Sequence, residues 1–171
     1  KKGVEDAIHA FSKVVLHKTD TELHIAGKCD IEYKSRLGLI IQELGITEKV
    51  YFHDYFPIHS DLHNFVRKAR VAVLPVKLDI IPGTIIESIL LDVPVAAYKT
   101  TGTPYLNKDG QTILLAELNN VDELAENMLS LLNDNEYCQV LTHRAKNFVL
   151  REFDNASSAQ SSTFADKLLP T

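Results

Sequence analysis

Residues 71–98, VAVLPVKLDIIPGTIIESILLDVPVAAY, contain two short apolar runs on either side of an apolar helical stretch. The run 71–75 has no polar residue, which is typical of a strand that is covered on both faces. Residues 84–91 are apolar almost all round and predict a buried helix. Residues 93–98 predict a second buried strand. A strand, a helix and a strand in this order form a βαβ unit, in which the two strands are parallel.

The same alternation extends in both directions from this stretch. We expect Ser60 and Asn120 to be N-caps, because both side chains accept hydrogen bonds well at a helix start. The pattern predicts an α/β fold, in which one parallel Rossmann-like sheet has helices on both faces and residues 1–171 form a single domain. Further helices are predicted over 4–16, 33–44, 62–69, 120–132, 137–149 and 153–169, and further strands over 23–27, 50–53 and 112–116.

The first predicted element is a helix, and only Lys1, Lys2 and Gly3 precede it. A doubly wound α/β domain normally opens with a strand, which is central in the commonest strand order. We therefore expect the chain to begin partway through its fold, with a further strand upstream that lies beside the first two strands of the sheet.

Composition argues against several classes of partner and cofactor. The net charge of -5 disfavours nucleic acid and anionic membrane surfaces as partners. No apolar run approaches the roughly 20 residues that span a bilayer, and no apolar stretch follows the N-terminal lysines as it would in a signal peptide. Cys29, Cys138 and the scattered histidines lack metal-ligand spacing. We expect a cytoplasmic protein with no metal site and no cofactor.

Three segments follow the carboxyl ends of predicted strands, where open α/β sheets bind ligands. They are residues 2–3, 76–84 and 100–104. Gly83 and Thr84 open a helix, and the free N–H groups of a helix start bind anions. Asp79 and Glu87 bracket this start eight positions apart, and carboxylates beside a phosphate site suit sugar hydroxyls.

These residues resemble the signature of retaining glycosyltransferases of the GT-B fold, family 4. In that family the C-terminal domain carries two acidic residues eight positions apart, then a buried helix and a Val-Pro-Val strand. The resemblance covers nearly the whole chain. Its elements here are Lys2-Gly3-Val4, Ile25-Ala26-Gly27, Leu74-Pro75, Asp79, Pro82-Gly83, Glu87, Val93-Pro94-Val95, Gly102-Thr103-Pro104 and Asp109-Gly110.

The resemblance implies a role for each of these positions. Lys2 faces the donor diphosphate and Asp79 contacts the sugar hydroxyls, which makes them the expected catalytic residues. The backbone of Gly83 and Thr84 meets the phosphates, and Glu87 accepts hydrogen bonds from the ribose hydroxyls. The remaining expected donor-binding residues are Gly102, Thr103 and Pro104.

Four positions depart from the family pattern. Asp79 is one methylene shorter than the usual glutamate. Pro82 stands where glycine is frequent, so that one N–H donor is lost. Arg70 replaces an aspartate, and Tyr105 stands where an acidic residue often follows the Gly-x-Pro element. These departures bear on the donor sugar more than on the class of protein.

Plainer interpretations compete with these roles. Thr84 and Glu87 form a capping-box pattern, in which Glu87 would bond back to the helix start. Asp79 and Lys2 are also typical of solvated surface charges.

The function that the resemblance implies is the donor-binding half of a glycosyltransferase. It would move a sugar from a nucleoside diphosphate sugar, with retention, to a hydroxyl acceptor. An N-terminal domain would bind a saccharide or lipid-linked acceptor and would bring the protein to the membrane surface. Two alternatives remain open: a non-catalytic Rossmann-like binding module, and another GT-B enzyme such as a nucleotide-sugar epimerase. A dinucleotide oxidoreductase is disfavoured, because no Gly-x-Gly-x-x-Gly follows a strand.

Overall fold

The computed structural model of the chain describes the backbone of residues 2–159 and the side chains of residues 2–152. Every helix and strand predicted between residues 4 and 149 is present, with bounds that shift by a few residues. The helices are α1 (Val4–His17), α2 (Ile31–Glu43), α3 (His59–Val66), α4 (Gly83–Leu90), α5 (Val121–Asn133) and α6 (Asn135–Ala159). The strands are β1 (Leu23–Ala26), β2 (Val50–His53), β3 (Ala72–Leu74), β4 (Val95–Tyr98) and β5 (Leu114–Ala116).

All strand pairs are parallel, as the βαβ pattern predicts. Within residues 2–159 they form two sheets instead of the single sheet that the sequence predicts, in the orders β1-β2 and β3-β4-β5. Leu23 pairs with Val50 in the first sheet, and Ala96 pairs with Leu114 in the second. β1 and β2, the first two strands, therefore each have one edge that no described strand occupies. The expected upstream strand beside them stays a prediction.

Strand β4 shows how helices cover both faces of the larger sheet. Ala96 and Tyr98 pack into one core cluster, while Val95 and Ala97 pack into another. Successive side chains of a strand point to opposite faces, so the two clusters lie on opposite sides of the sheet. The first, the α1-side core, includes residues of α1, α2 and α5; the second, the α4-side core, includes residues of α4 and α6. This arrangement confirms the predicted α/β fold with helices on both faces.

Strand β3 contacts both cores but is less buried than the sequence predicts. Val73 packs against the α1-side core, whereas Ala72 and Leu74 pack against the α4-side core. All three residues are only half-buried, while β4 is buried throughout. β3 pairs with β4 alone among the described strands, and its other flank is therefore less covered.

The ends of three helices test the local predictions. Asn120 caps α5, because its side chain accepts a hydrogen bond from the Glu123 amide at 3.2 Å. The prediction for Ser60 was wrong: α3 begins at His59, and Ile58 precedes it without a side-chain cap. The prediction of a separate terminal helix over 153–169 was also wrong at its start, because α6 continues unbroken to Ala159. Residues 160–169 of that prediction lie outside the described residues. No helix in the described part is long and apolar enough to cross a membrane.

Candidate functional site

The start of α1 touches the end of β3. Gly3 precedes α1 in a left-handed conformation with φ 74°, and a Cβ at this position would lie 1.9 Å from the carbonyl oxygen of Pro75. Only glycine permits both this φ and this approach. The exposed Lys2 is therefore placed beside the loop that follows β3, which brings the first two predicted segments together.

The loop after β4 touches the same loop from another direction. A Cβ on Gly102 would lie 2.5 Å from the carbonyl oxygen of Ile80. The Thr100 hydroxyl donates a hydrogen bond to that oxygen at 3.1 Å. All three segments predicted at the carboxyl ends of the strands thus meet around residues 75–82.

The start of α4 offers free backbone donors. Pro82 is the N-cap, is buried, and makes no side-chain cap hydrogen bond. The Ile85 amide donates to the Pro82 carbonyl oxygen at 2.9 Å. Helix geometry leaves the amides of Gly83 and Thr84 without intrahelical acceptors. Pro82 therefore lacks a donor of its own, as predicted, but the next two amides remain available for an anion.

Glu87 lies on the same face of α4 as these amides, because Gly83 and Thr84 are four and three positions before it. Its side chain is half-buried, and within the described side chains its carboxylate has no hydrogen-bond or ion-pair partner. The capping-box alternative is wrong, since Pro82 rather than Thr84 precedes the helix. The Thr84 carbonyl instead accepts a hydrogen bond from the Ser88 hydroxyl at 2.8 Å. A half-buried carboxylate is thus free to accept hydrogen bonds from a ligand.

Asp79 lies on the exposed part of the loop between β3 and α4. One carboxylate oxygen accepts a hydrogen bond from the Ile80 amide at 2.8 Å, a local contact that fixes the side chain. Leu78 and Ile80 on either side are 73% and 71% exposed. Asp79 therefore lies between two apolar side chains that face solvent.

The side chain of Thr103 is used within its own loop. It is fully buried, and its hydroxyl donates to the Tyr98 carbonyl oxygen at 3.0 Å and accepts from the Thr100 amide at 2.8 Å. The hydroxyl thus builds the loop. Pro104 is exposed beside it, at the start of a 3-10 turn.

Tyr105, which departs from the family pattern, turns away towards α6. Its ring lies 6.0 Å from that of Phe148, and its hydroxyl donates to the Glu152 carboxylate at 2.5 Å. Lys108 also binds this carboxylate, at 2.6 Å. The Lys108 and Tyr105 hydrogen bonds lower the pKa of Glu152 to about 2. This position therefore anchors the loop after β4 to α6.

Sequence reasoning missed one polar cluster at the site. The Asp6 carboxylate on α1 accepts a hydrogen bond from the Tyr98 hydroxyl at 2.7 Å and lies 2.9 Å from the Lys77 ammonium. One signal was available, since a tyrosine in a buried strand usually finds a partner for its hydroxyl. Within the described residues, no group of three or more candidate ligands could hold a metal ion.

Comparison with known proteins identifies the family of the chain. The sequence model of the family described as "Glycosyl transferases group 1" matches residues 1–148. An uncharacterized glycosyltransferase of Methanocaldococcus jannaschii is 31% identical over 89 residues, which are 52% of this chain and 25% of that protein. The chain therefore spans about a quarter of the length of this relative.

Solved structures share the fold at low identity. The C-terminal domain of a glycosyl transferase group 1 family protein (LpcC) from Francisella tularensis has a TM-score of 0.80 and 15% identity, over 89% of this chain and 80% of that one. A mutant of TarM from S. aureus, solved in complex with Fondaparinux, alpha-GlcNAc-glycerol and UDP, has a TM-score of 0.81 and 18% identity, over 91% and 31%. Anabaena HepE in complex with UDP has a TM-score of 0.78 and 17% identity, over 93% of this chain and 46% of that one. With its parallel strands, its two helical layers and the family match over most of its length, the chain belongs to the glycosyl transferases group 1 family and has the fold of a GT-B glycosyltransferase domain.

Proposed function

We propose that this chain is the donor-binding domain of a glycosyltransferase that moves a sugar from a nucleoside diphosphate sugar to a hydroxyl acceptor, with retention at the anomeric carbon. The observation that carries the proposal is the Glu87 carboxylate. It is half-buried and has no partner among the described side chains, and it shares a helix face with the free amides of Gly83 and Thr84. The carboxylate oxygens are not sealed from solvent, so the hydroxyls of a ligand can reach them.

The chemistry of a sugar nucleotide fits these groups. An ionised carboxylate accepts hydrogen bonds from two adjacent hydroxyls, as a ribose offers. The α4 amides and helix dipole favour the diphosphate beside it. Lys2 would neutralise the leaving diphosphate, and Asp79 would contact the sugar. No metal or cofactor is needed in this scheme, because a lysine and helix amides stabilise the charge that develops on the diphosphate.

Structural relatives supply a further argument for the class of ligand. TarM has been solved with UDP, and Anabaena HepE with UDP and with UDP-glucose. We extend from them the nucleoside diphosphate only, because this chain is 17–18% identical to these two proteins.

The test is a calorimetric titration of the chain with UDP, GDP and ADP. We expect saturable binding of one nucleotide and a Kd about tenfold or more weaker in Glu87→Gln, because a hydrogen bond to a charged group contributes about 1.5–3 kcal/mol. The matched control is Glu126→Gln, an exposed glutamate on α5, which should leave the Kd unchanged. Binding that is equally tight in Glu87→Gln would contradict the role of Glu87.

The proposal also covers the intact protein. An acceptor domain outside this sequence would bind the saccharide or lipid-linked acceptor, in a protein of polysaccharide biosynthesis at the cytoplasmic side of a membrane. The chain alone should therefore bind donor without turnover. Nucleotide binding together with sugar transfer by the intact protein would support the proposal. An epimerised sugar nucleotide as the product would favour the epimerase instead. Nucleotide binding by the intact protein without any turnover would favour a non-catalytic module.

A further inference from the structure

One carboxylate at the site is bound from two distant segments of the chain. Asp6 lies on the first turn of α1, with a side chain that is 14% exposed. The Tyr98 hydroxyl donates to its Oδ2 at 2.7 Å, and the Lys77 Nζ lies 3.0 Å from Oδ1 and 2.9 Å from Oδ2. We call Asp6, Lys77 and Tyr98 the Asp6 cluster. Tyr98 is 1% exposed, so the cluster extends into the α1-side core.

Each member of the Asp6 cluster lies next to one of the three predicted donor-binding segments. Asp6 is four residues after Lys2, Lys77 is two residues before Asp79, and Tyr98 is two residues before Thr100. A single carboxylate therefore bonds the start of α1 to the loop between β3 and α4 and to the end of β4. Charge-assisted hydrogen bonds of this kind are short and directional, so they fix relative positions as well as adding stability.

The surroundings of Tyr98 favour its protonated hydroxyl. Burial raises the pKa of Tyr98 above its usual value, and the hydrogen bond and charge of Asp6 raise it further. The hydroxyl therefore remains a donor. Besides the groups of the cluster itself, the titratable side chains adjacent in sequence on these segments are Glu5, which pairs with Arg36 at 3.0 Å, and Lys99, which pairs with Glu117 at 2.7 Å.

A contribution to stability alone does not account for this arrangement well. Largely buried ion pairs are often replaced by apolar side chains without loss of stability. The Asp6 cluster instead lies where three segments meet, and the close approaches of Gly3 to Pro75 and of Gly102 to Ile80 join the same segments through backbone. Lys77 belongs to the otherwise exposed stretch 77–80, and its bond to Asp6 joins this stretch to α1.

We propose that Asp6 is a positioning residue of the donor site: through Lys77 and Tyr98 it holds the loop between β3 and α4, and with it Asp79, at a fixed distance from Lys2. The inference rests on the proposed function for its consequence in binding, but the ordering of the loop can be measured without a ligand.

The first experiment measures the order of backbone amides 77–81 by ¹⁵N relaxation of the nucleotide-free chain. We expect Asp6→Asn and Tyr98→Phe to lower the heteronuclear NOE of these amides and to leave those of α5 unchanged. The control is Glu5→Gln, a neighbour on α1 whose carboxylate binds Arg36 of α2 instead of the loop. Unchanged NOE values in both variants would overturn the proposal, and so would a loss of order that extends equally to α5.

The second experiment titrates the same variants with whichever of UDP, GDP or ADP binds the unmodified chain. We expect the Kd to rise about tenfold or more in Asp6→Asn, since small displacements of positioned groups have large effects. The effects of Asp6→Asn and Lys77→Met on the Kd should be less than additive, because both substitutions break the same contact. Loss of loop order with an unchanged Kd would overturn the role in donor binding. If the unmodified chain binds none of the three, the proposed function fails, while the relaxation data still decide whether Asp6 orders the loop.

Discussion

Four glycines form a natural test of how tightly the site is assembled. Gly3 combines a positive φ of 74° with a Cβ position 1.9 Å from the Pro75 carbonyl oxygen. Gly45 has the positive φ alone, 67° with nothing within 4 Å of its Cβ position. Gly102 has the close contact alone, 2.5 Å from Ile80 at a φ of -111°. Gly38, inside α2, has neither.

The four alanine substitutions therefore separate conformational strain from steric overlap. A left-handed conformation costs an L-residue about 1–2 kcal/mol, which is the expected loss for Gly45→Ala. Overpacking against backbone costs about 1–3 kcal/mol, which we expect for Gly102→Ala. Gly3→Ala suffers both effects and should lose about 2–5 kcal/mol. Gly38→Ala should gain about 0.5–1 kcal/mol, because alanine favours a helix interior.

Urea unfolding followed by circular dichroism measures the free energy of unfolding for all four variants. The slope of the transition should stay constant, so that changes in midpoint report stability directly. A loss in Gly3→Ala no larger than that in Gly45→Ala would refute the reasoning, since it would mean that α1 shifts away from Pro75 at no cost. The approach of Lys2 to the loop between β3 and α4 would then not be fixed by packing.

Two further predictions concern contacts outside the site. The Lys108 and Tyr105 hydrogen bonds lower the pKa of Glu152 to about 2, so the stabilisation by the ionised form is complete above the unfolded pKa of about 4.3 and is lost as the pH falls towards 2. Glu152→Gln should therefore flatten the pH dependence of the urea midpoint in that range. A pH dependence as steep as that of the unmodified chain would contradict the contact. Asn120→Ala should lower the free energy of unfolding by about 1 kcal/mol through loss of the α5 cap. The control is Asn133→Ala, at an exposed position of the same helix, which should change this free energy by less than about 0.5 kcal/mol. Equal losses at both positions would contradict a stabilising role for the cap.

Most of the fold follows from local periodicity. The continuously apolar run 95–98 and the helical spacing of Ile8, Phe11 and Val14 on α1 predict which side chains are buried, and the structure buries them. The ends of elements are less certain, because short-range signals compete. Ser60 is a good capping residue by type, yet α3 starts one residue earlier. Thr84 and Glu87 fit a capping box, yet the helix begins at Gly83 with Pro82 as its N-cap.

The sequence alone determined the α/β class, the parallel direction of the strands and the three segments that meet at their carboxyl ends. These properties depend on side-chain periodicity and on the order of elements along the chain, which can be read without coordinates. Only the tertiary structure decided that the Thr103 hydroxyl is consumed within its own loop, that Glu87 has no partner among the described side chains, and that Asp6 joins Lys77 and Tyr98. The partners of Asp6 lie 71 and 92 positions away along the chain. No local pattern specifies which of many distant polar groups a side chain will reach, because that choice depends on how the packed strands and helices place their ends in space.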